Sequence, residues 1–185
     1  MKAVLISIQP KWCELIASGK KTIEVRKSVP KLDTPFKCYI YCTQGKAKDL
    51  FSCGDWIYQN RMKVIGEFVC DSINEWFYLP DLHYEEYGER MYYISLEDGH
   101  TACLTYEEFE NYGKGKTLYG WHISDLKIYD KPRELSEFRT VTTCGSVIAK
   151  DMLCNTCCLC SDFCTKKPKR ITRPPQSWCY GEEED

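Results

Sequence analysis

The sequence predicts a mixed α+β domain: a small, partly open β-barrel of five to six strands with short helices packed on it. Three observations predict it. Apolar and aromatic runs of strand length recur along the chain and outnumber helical patterns. The chain opens strand, short helix, strand. Helical spacing is confined to two short stretches, too few for a bundle.

The elements follow in order. Ala3-Val4-Leu5-Ile6-Ser7-Ile8 is a β-branched apolar run bounded by Gln9-Pro10 and is expected to be a buried strand. Pro10 suits the first helical position, where its missing N–H costs nothing. Trp12, Leu15 and Ile16 give one apolar helix face, and Gly19 falls where a left-handed cap belongs. Ile23 to Arg26 then alternates apolar and charged residues, as a strand with one dry and one wet face does. Phe36 to Thr43 alternates and carries aromatics; Lys63 to Ile73 is another strand, with Gly66 as a bulge. Asp98-Gly99 signals a turn within the acidic, tyrosine-rich stretch 74–100, where Tyr92-Tyr93-Ile94 is a short strand. Thr105 and Glu108 form a capping-box pattern before Phe109, and Gly113 stops that helix. Leu118 to Tyr129 is one long strand or two with a bend, and Trp178-Cys179-Tyr180 closes the fold.

Composition narrows the class. The chain has 185 residues, 43% hydrophobic, enough for one core with an elaboration. No apolar run approaches the roughly 18 residues of a membrane helix, and the start Met1-Lys2-Ala3 leads into too short an apolar stretch for a secretory signal. A cytoplasmic protein is expected, with its 13 cysteines as thiols or metal ligands. The net charge of -2 hides an uneven distribution. Residues 1–50 hold ten Lys/Arg against four Asp/Glu, residues 51–110 three against thirteen, and residues 111–185 twelve against ten. A basic first third suits a phosphate backbone, and an ordinary solvated surface carries charge in the same way.

The stretch Gly19-Lys20-Lys21-Thr22-Ile23-Glu24-Val25-Arg26 carries the chemistry. Glu24 and Arg26 project from one side of a strand, with Cα atoms roughly 6.5–7 Å apart. Arg26 can hold Glu24 ionised, or bind a phosphate while Glu24 accepts from a base edge. Lys21 has the reach to swing over a cleft mouth, and Lys11 at a helix N-terminus adds to an anion site. The bland alternative is a Glu24–Arg26 ion pair closing a barrel rim. Trp12 reads first as helix-face core and second as a stacking platform for a base. Trp121 and Trp178 are candidate stacking platforms, with His122 facing opposite to Trp121 and Ser177 presented after the stiff Arg173-Pro174-Pro175.

A second signal lies at 144–164, with Cys144, Cys154, Cys157, Cys158, Cys160 and Cys164. Cys154 and Cys157 have zinc-knuckle spacing, and Cys160 and Cys164 complete a tetrahedral set, with Cys144 or Cys158 able to replace either. A structural zinc would fix an insertion too small for its own core. An iron–sulfur cluster, or simple thiols and disulfides, are the other readings. Lys166, Lys167, Lys169, Arg170 and Arg173 follow, either as a phosphate-contacting arm or as a solvated loop. The remaining cysteines, scattered in apolar runs, read as buried small hydrophobes.

The opening with Gln9-Pro10-Lys11 and Gly19-x-Lys21-Thr22-x-Glu24-x-Arg26, together with Lys37–Thr43, Val64–Cys70, Gly120-Trp121-His122-Ile123 and Arg173–Trp178, resembles the ASCH domain of the PUA-like superfamily. It is similar to small bacterial and phage-borne members with a cysteine-rich insertion. The resemblance implies a PUA-like barrel over residues 1–140 and 172–180; the cysteine spacing makes 141–171 a zinc-binding insertion, and 181–185 is an acidic tail. It also implies a cleft between barrel and helix that binds RNA or a modified nucleoside. Lys11, Lys21, Thr22, Glu24, Arg26, Trp121, Ser177 and Trp178 would line that cleft. One branch of the family looks like an amidohydrolase acting on acetylcytidine; there Lys21 and Glu24 would be the catalytic pair. That branch carries a threonine nucleophile where this chain has Glu24, so binding is expected ahead of hydrolysis. A third expectation is a protein-interaction module through the cysteine-rich segment.

Overall fold

A computed structural model describes residues 3–46, 50, 53–79, 91–92, 94–141 and 169–183. The chain begins with β1 (Ala3–Ile8), α1 (Pro10–Ala17), β2 (Ile23–Arg26) and β3 (Phe36–Cys42), and continues with α2 (Asp55–Gln59), β4 (Val64–Cys70) and β5 (Ile73–Trp76). Then come β6 (Tyr78–Leu79), β7 (Met91–Tyr92), α3 (Leu96–Ala102), α4 (Tyr106–Gly113), β8 (Leu118–His122) and β9 (Ser124–Arg133). A 3-10 turn (Leu135–Glu137), β10 (Phe138–Thr140) and β11 (Trp178–Glu183) complete the described elements.

The opening follows the sequence pattern. All six residues of β1 are buried, and its alternation serves two cores. Val4, Ile6 and Ile8 enter one cluster with Ile16, Phe36, Phe68 and Trp121. Ala3 and Leu5 enter another with Tyr39, Tyr41, Val64 and Phe138. Each fully buried aliphatic side chain contributes about 1.5–3 kcal/mol, so β1 anchors both faces. Pro10 starts α1 and Gly19, at φ +73°, follows its C-cap Ser18 in the left-handed region that glycine adopts freely. Cys13, Cys38, Cys42 and Cys70 are buried as the small hydrophobes expected, and burial pushes the Cys70 thiol up to about 12.

The mixed α+β class holds, but the sheet is not closed into the expected barrel. Six strands form one sheet in the order β10-β11-β1-β3-β4-β9, and β2-β8-β5 form a second of three. The physical reason lies at Ile123. There the predicted long strand divides into β8 in one sheet and β9 in the other, and Asp125 turns through φ +45°. Among the described residues no ladder therefore joins the two sheets; β9 and β10 end the strand order, with a single bridge from Arg139 to Arg170 beside β10. The predicted bulge in β4 is present: against β3, adjacent Ile40 and Tyr41 pair with Gly66 and Val64, which leaves Ile65 as the extra residue. A Cβ at Gly66 would stand 2.4 Å from the Lys127 carbonyl oxygen, so only glycine lets β9 approach.

Two further expectations are corrected. Asp98-Gly99 is not a turn but part of α3; Ser95 Oγ accepts from Asp98 N and starts a helix there. The acidic tail enters the sheet as far as Glu183, because β11 pairs with β1 and β10 and Arg133 holds Glu183 at 2.7 Å. The capping box on α4 forms as predicted, with Thr105 Oγ1 accepting from Glu108 N. Cys154, Cys157, Cys160 and Cys164, with Cys144, Cys158, Lys166 and Lys167, lie outside the described residues. Among the described residues no three His, Cys, Asp or Glu are grouped to hold a metal. None of the described helices is long and apolar enough to cross a membrane.

Candidate functional site

The site begins with the register of β2. β2 pairs antiparallel with β8, setting Glu24 opposite Trp121 and Arg26 opposite Tyr119. Alternation sends Ile23 and Val25 into a third apolar cluster with Trp76, Phe109 and Leu118. Glu24 and Arg26 line an open cleft of about 1110 Å³ between α1, α4 and the segment 174–177.

The polar side of β2 is not wet, as the pattern suggested. Lys21 is 2% exposed, Glu24 5% and Arg26 6%. Arg26 Nη2 lies 2.8 Å from Glu24 Oε1, and Lys21 Nζ lies 3.6 Å from Glu24 Oε2. The ion pair foreseen as a mere rim closure therefore exists, and it forms the cleft floor. Lys21 does not swing over the mouth either: its Nζ donates to the Ala102 carbonyl at the end of α3 at 2.5 Å. Burial, the largest influence, lowers its pKa from the ordinary lysine value, against the opposing pull of Glu24.

Arg26 is clamped by parts distant in sequence. Its Nη2 donates to the Ser7 carbonyl at 2.7 Å and its Nη1 to Ser177 Oγ at 3.3 Å. Ser7 Oγ donates in turn to the Pro175 carbonyl at 2.7 Å, and Ser7 N to the Ser177 carbonyl at 2.8 Å. Arg26 Nε is buried without a hydrogen-bond partner among the described residues. The stiff segment before β11 thus forms one wall of the cleft, as the Pro-Pro signal suggested for Ser177.

The other predicted residues disperse. Lys11 is held by Glu108 at 2.7 Å, so the anion site expected at the start of α1 is already filled by a carboxylate. Thr22 spends its backbone on Thr101 and Ile123 and does not line the cleft. Trp121 is fully buried, packed edge-on against Phe36 at 5.6 Å, so it offers no face to a ligand. Trp178 leans on Trp121 and Tyr180 and donates to Ser28 Oγ, outside the cleft. His122 faces outward as expected, with Nδ1 2.7 Å from Asp71.

Of the aromatic residues of the cleft, sequence reasoning weighed Trp12 as a stacking platform but set it in the core first, and did not reach Tyr112. Trp12, read as core, lines it from α1, and Tyr112 lines it from α4. Lys11 and Lys21 lie 4.2 and 5.1 Å from the Trp12 ring centre, and Lys27 lies 4.7 Å from that of Tyr112. The signal for Trp12 was present: it sits beside Lys11, on a helix whose apolar face is already completed by Cys13 and Ile16.

The comparisons agree with this architecture. The family model of the ASCH domain matches residues 6–139. The crystal structure of an ASCH protein from Zymomonas mobilis superposes with TM-score 0.53 at 19% identity, covering 97% of this chain and 87% of that one. A mutant form of that protein gives TM-score 0.54 at 18% identity with the same coverage. At such identity the likeness shows the fold alone. A search of curated proteins finds no match.

Proposed function

The chain belongs to the ASCH domain family, and on that premise we propose that its cleft binds RNA or a modified nucleoside, with Lys21, Glu24 and Arg26 as the floor that reads it. One observation carries the reading. Three formal charges, with side chains no more than 8% exposed, are gathered at the base of an open cleft. Desolvating charge is costly, and an apolar floor of the same volume would be as stable or more so. Charges kept at such a place favour recognition over mere scaffolding. Trp12 and Tyr112 supply rings for stacking, and Ser177 fixes the arginine. The test is calorimetric titration of nucleosides, modified nucleosides and short RNAs into the protein and into Lys21→Met. Binding by the parent chain that the variant lacks, with unchanged circular dichroism, supports the reading; equal binding by both refutes it.

One observation favours a second reading, hydrolysis of an acylated nucleoside. Burial lowers the pKa of Lys21, which enlarges its neutral, proton-accepting fraction. Lys21 would take a proton from water attacking the amide carbonyl, with Glu24 steadying the ammonium formed, and would return that proton to the departing cytidine nitrogen as the C–N bond breaks, leaving acetate and cytidine. Release of acetate from acetylcytidine, abolished by Lys21→Ala, is the expected outcome. We also propose a structural zinc on Cys154, Cys157, Cys160 and Cys164, supported by their spacing. One equivalent of zinc in protein purified under reducing conditions is expected, and its loss on Cys154→Ser tests the ligand set. A protein-interaction role for the same segment predicts partners that vanish when residues 144–170 are removed while cleft binding persists.

A further inference from the structure

Resting on the reading that the cleft takes RNA or a modified nucleoside, we infer that its occupant is an uncharged nucleoside or base and not a phosphorylated one. The cleft is electrically balanced and most of its charge is engaged. Its lining holds three cations, Lys21, Arg26 and Lys46, against three carboxylates, Glu24, Glu107 and Glu108. Arg26 and Lys21 face Glu24 at 2.8 and 3.6 Å, and Glu108 is taken by Lys11. Lys46, exposed at the mouth, is the lining cation without an ionic partner among the described residues.

A phosphate entering this space would have to draw a cation off its carboxylate or lie beside Glu24 or Glu107. Either way it gives up hydration, and the one lining cation free to meet it among the described residues is the solvated Lys46 at the mouth, away from the buried floor. The start of α4 offers no refuge, because Glu107 and Glu108 occupy its first turn and Thr105 caps the Glu108 N–H. Backbone recognition of RNA depends on cations that phosphates can claim, and this cleft has few to give.

A neutral ring finds partners instead. Glu24 Oε2 stands 3.6 Å from Lys21, beyond a hydrogen bond, so it keeps acceptor capacity. Lys21 has three N–H donors, of which Ala102 takes one. Acceptor beside donor is the complement of the amide-type edge of a nucleobase. Gln9, Asn111 and Gln176 line the cleft, make no side-chain hydrogen bond among the described residues and suit sugar hydroxyls.

Calorimetry on the full chain tests this, with cytidine, acetylcytidine, guanosine, their 5′-monophosphates and a five-nucleotide RNA at low and high salt. The expected result is a nucleoside that binds with affinity indifferent to salt, and a monophosphate weaker by roughly tenfold or more. Glu107→Gln narrows that gap. A monophosphate or RNA that binds more tightly than every nucleoside, with affinity falling steeply in salt, overturns the inference but leaves the cleft reading standing. Absence of binding by every probe overturns both.

Discussion

The chain carries two clusters built on the same plan, a lysine and a third donor meeting a strand glutamate. One is Lys21, Glu24 and Arg26 on the floor of the cleft. The other is Lys37, Glu67 and Tyr129 on the six-stranded sheet, where Lys37 Nζ and Tyr129 Oη donate to Glu67 at 3.2 and 2.7 Å. The side chains of the first are 2–8% exposed, while Lys37 is 35% exposed. Water screens the second cluster and solvates whatever its partners leave unmet, so removing a member costs little. The first has no such relief. The same ion pair is therefore decoration in one place and a committed part of the interior in the other, where it lines the cleft.

Substitutions break the comparison in order of size. Arg26→Ala strands Glu24 and leaves the Ser7 carbonyl without its donor; a loss of about 3–5 kcal/mol in urea unfolding is expected, as for any broken buried pair. A loss below about 1 kcal/mol would mean that water reaches the floor freely. Lys21→Met removes the charge and orphans Ala102 O, costing about 1–3 kcal/mol. Lys37→Ala on the sheet is expected to cost about 0.2–1 kcal/mol.

The pH dependence sharpens the contrast. Folding lowers the Lys21 pKa, so between its folded value and 10.5 the unfolded chain binds more protons. Its contribution therefore gains stability as pH rises through that window, and Lys21→Met removes the gain. Raised tyrosines such as Tyr39 pull the other way, so the difference between the two proteins is the quantity to measure. Glu67 has the same sign in an acid window. Burial pushes its pKa up, but hydrogen bonds from Tyr129 and Lys37 outweigh this and hold it below the usual carboxylate range. Its contribution is present above the unfolded value and lost as pH falls through the folded one. Glu67→Gln should flatten the acid limb of the stability profile slightly, the smallest of these effects.

Legibility in the sequence followed the range of the forces involved. β1, α1, the Thr105 capping box and the Gly66 bulge rest on contacts between near neighbours or on a steric rule for one residue, and all were readable. Failure to close the barrel was not, because it depends on β8 and β9 joining different sheets beyond Ile123. At the site, the alternation of Glu24 and Arg26 was readable from β2. The clamp on Arg26 was not, since Ser7 and Ser177 lie far from it in sequence and meet it only through the pairing of β1 with β11. Trp12 and Trp121 exchanged their expected places for a similar reason. Helical periodicity cannot tell a core face from a cleft wall, and a strand tryptophan opposite Glu24 becomes core only once Phe36 and Trp178 pack on it.

The central claim is that the floor of the cleft, and not the outer sheet or the cysteine-rich segment, holds the ligand. It is tested most directly by titrating the best-binding nucleoside into four proteins: the parent chain, Lys21→Met, Lys37→Ala and a chain lacking residues 144–168. The account predicts binding by the parent, Lys37→Ala and the deletion, with loss of roughly tenfold or more in Lys21→Met. Undiminished binding by Lys21→Met, with loss in the deletion, would contradict it.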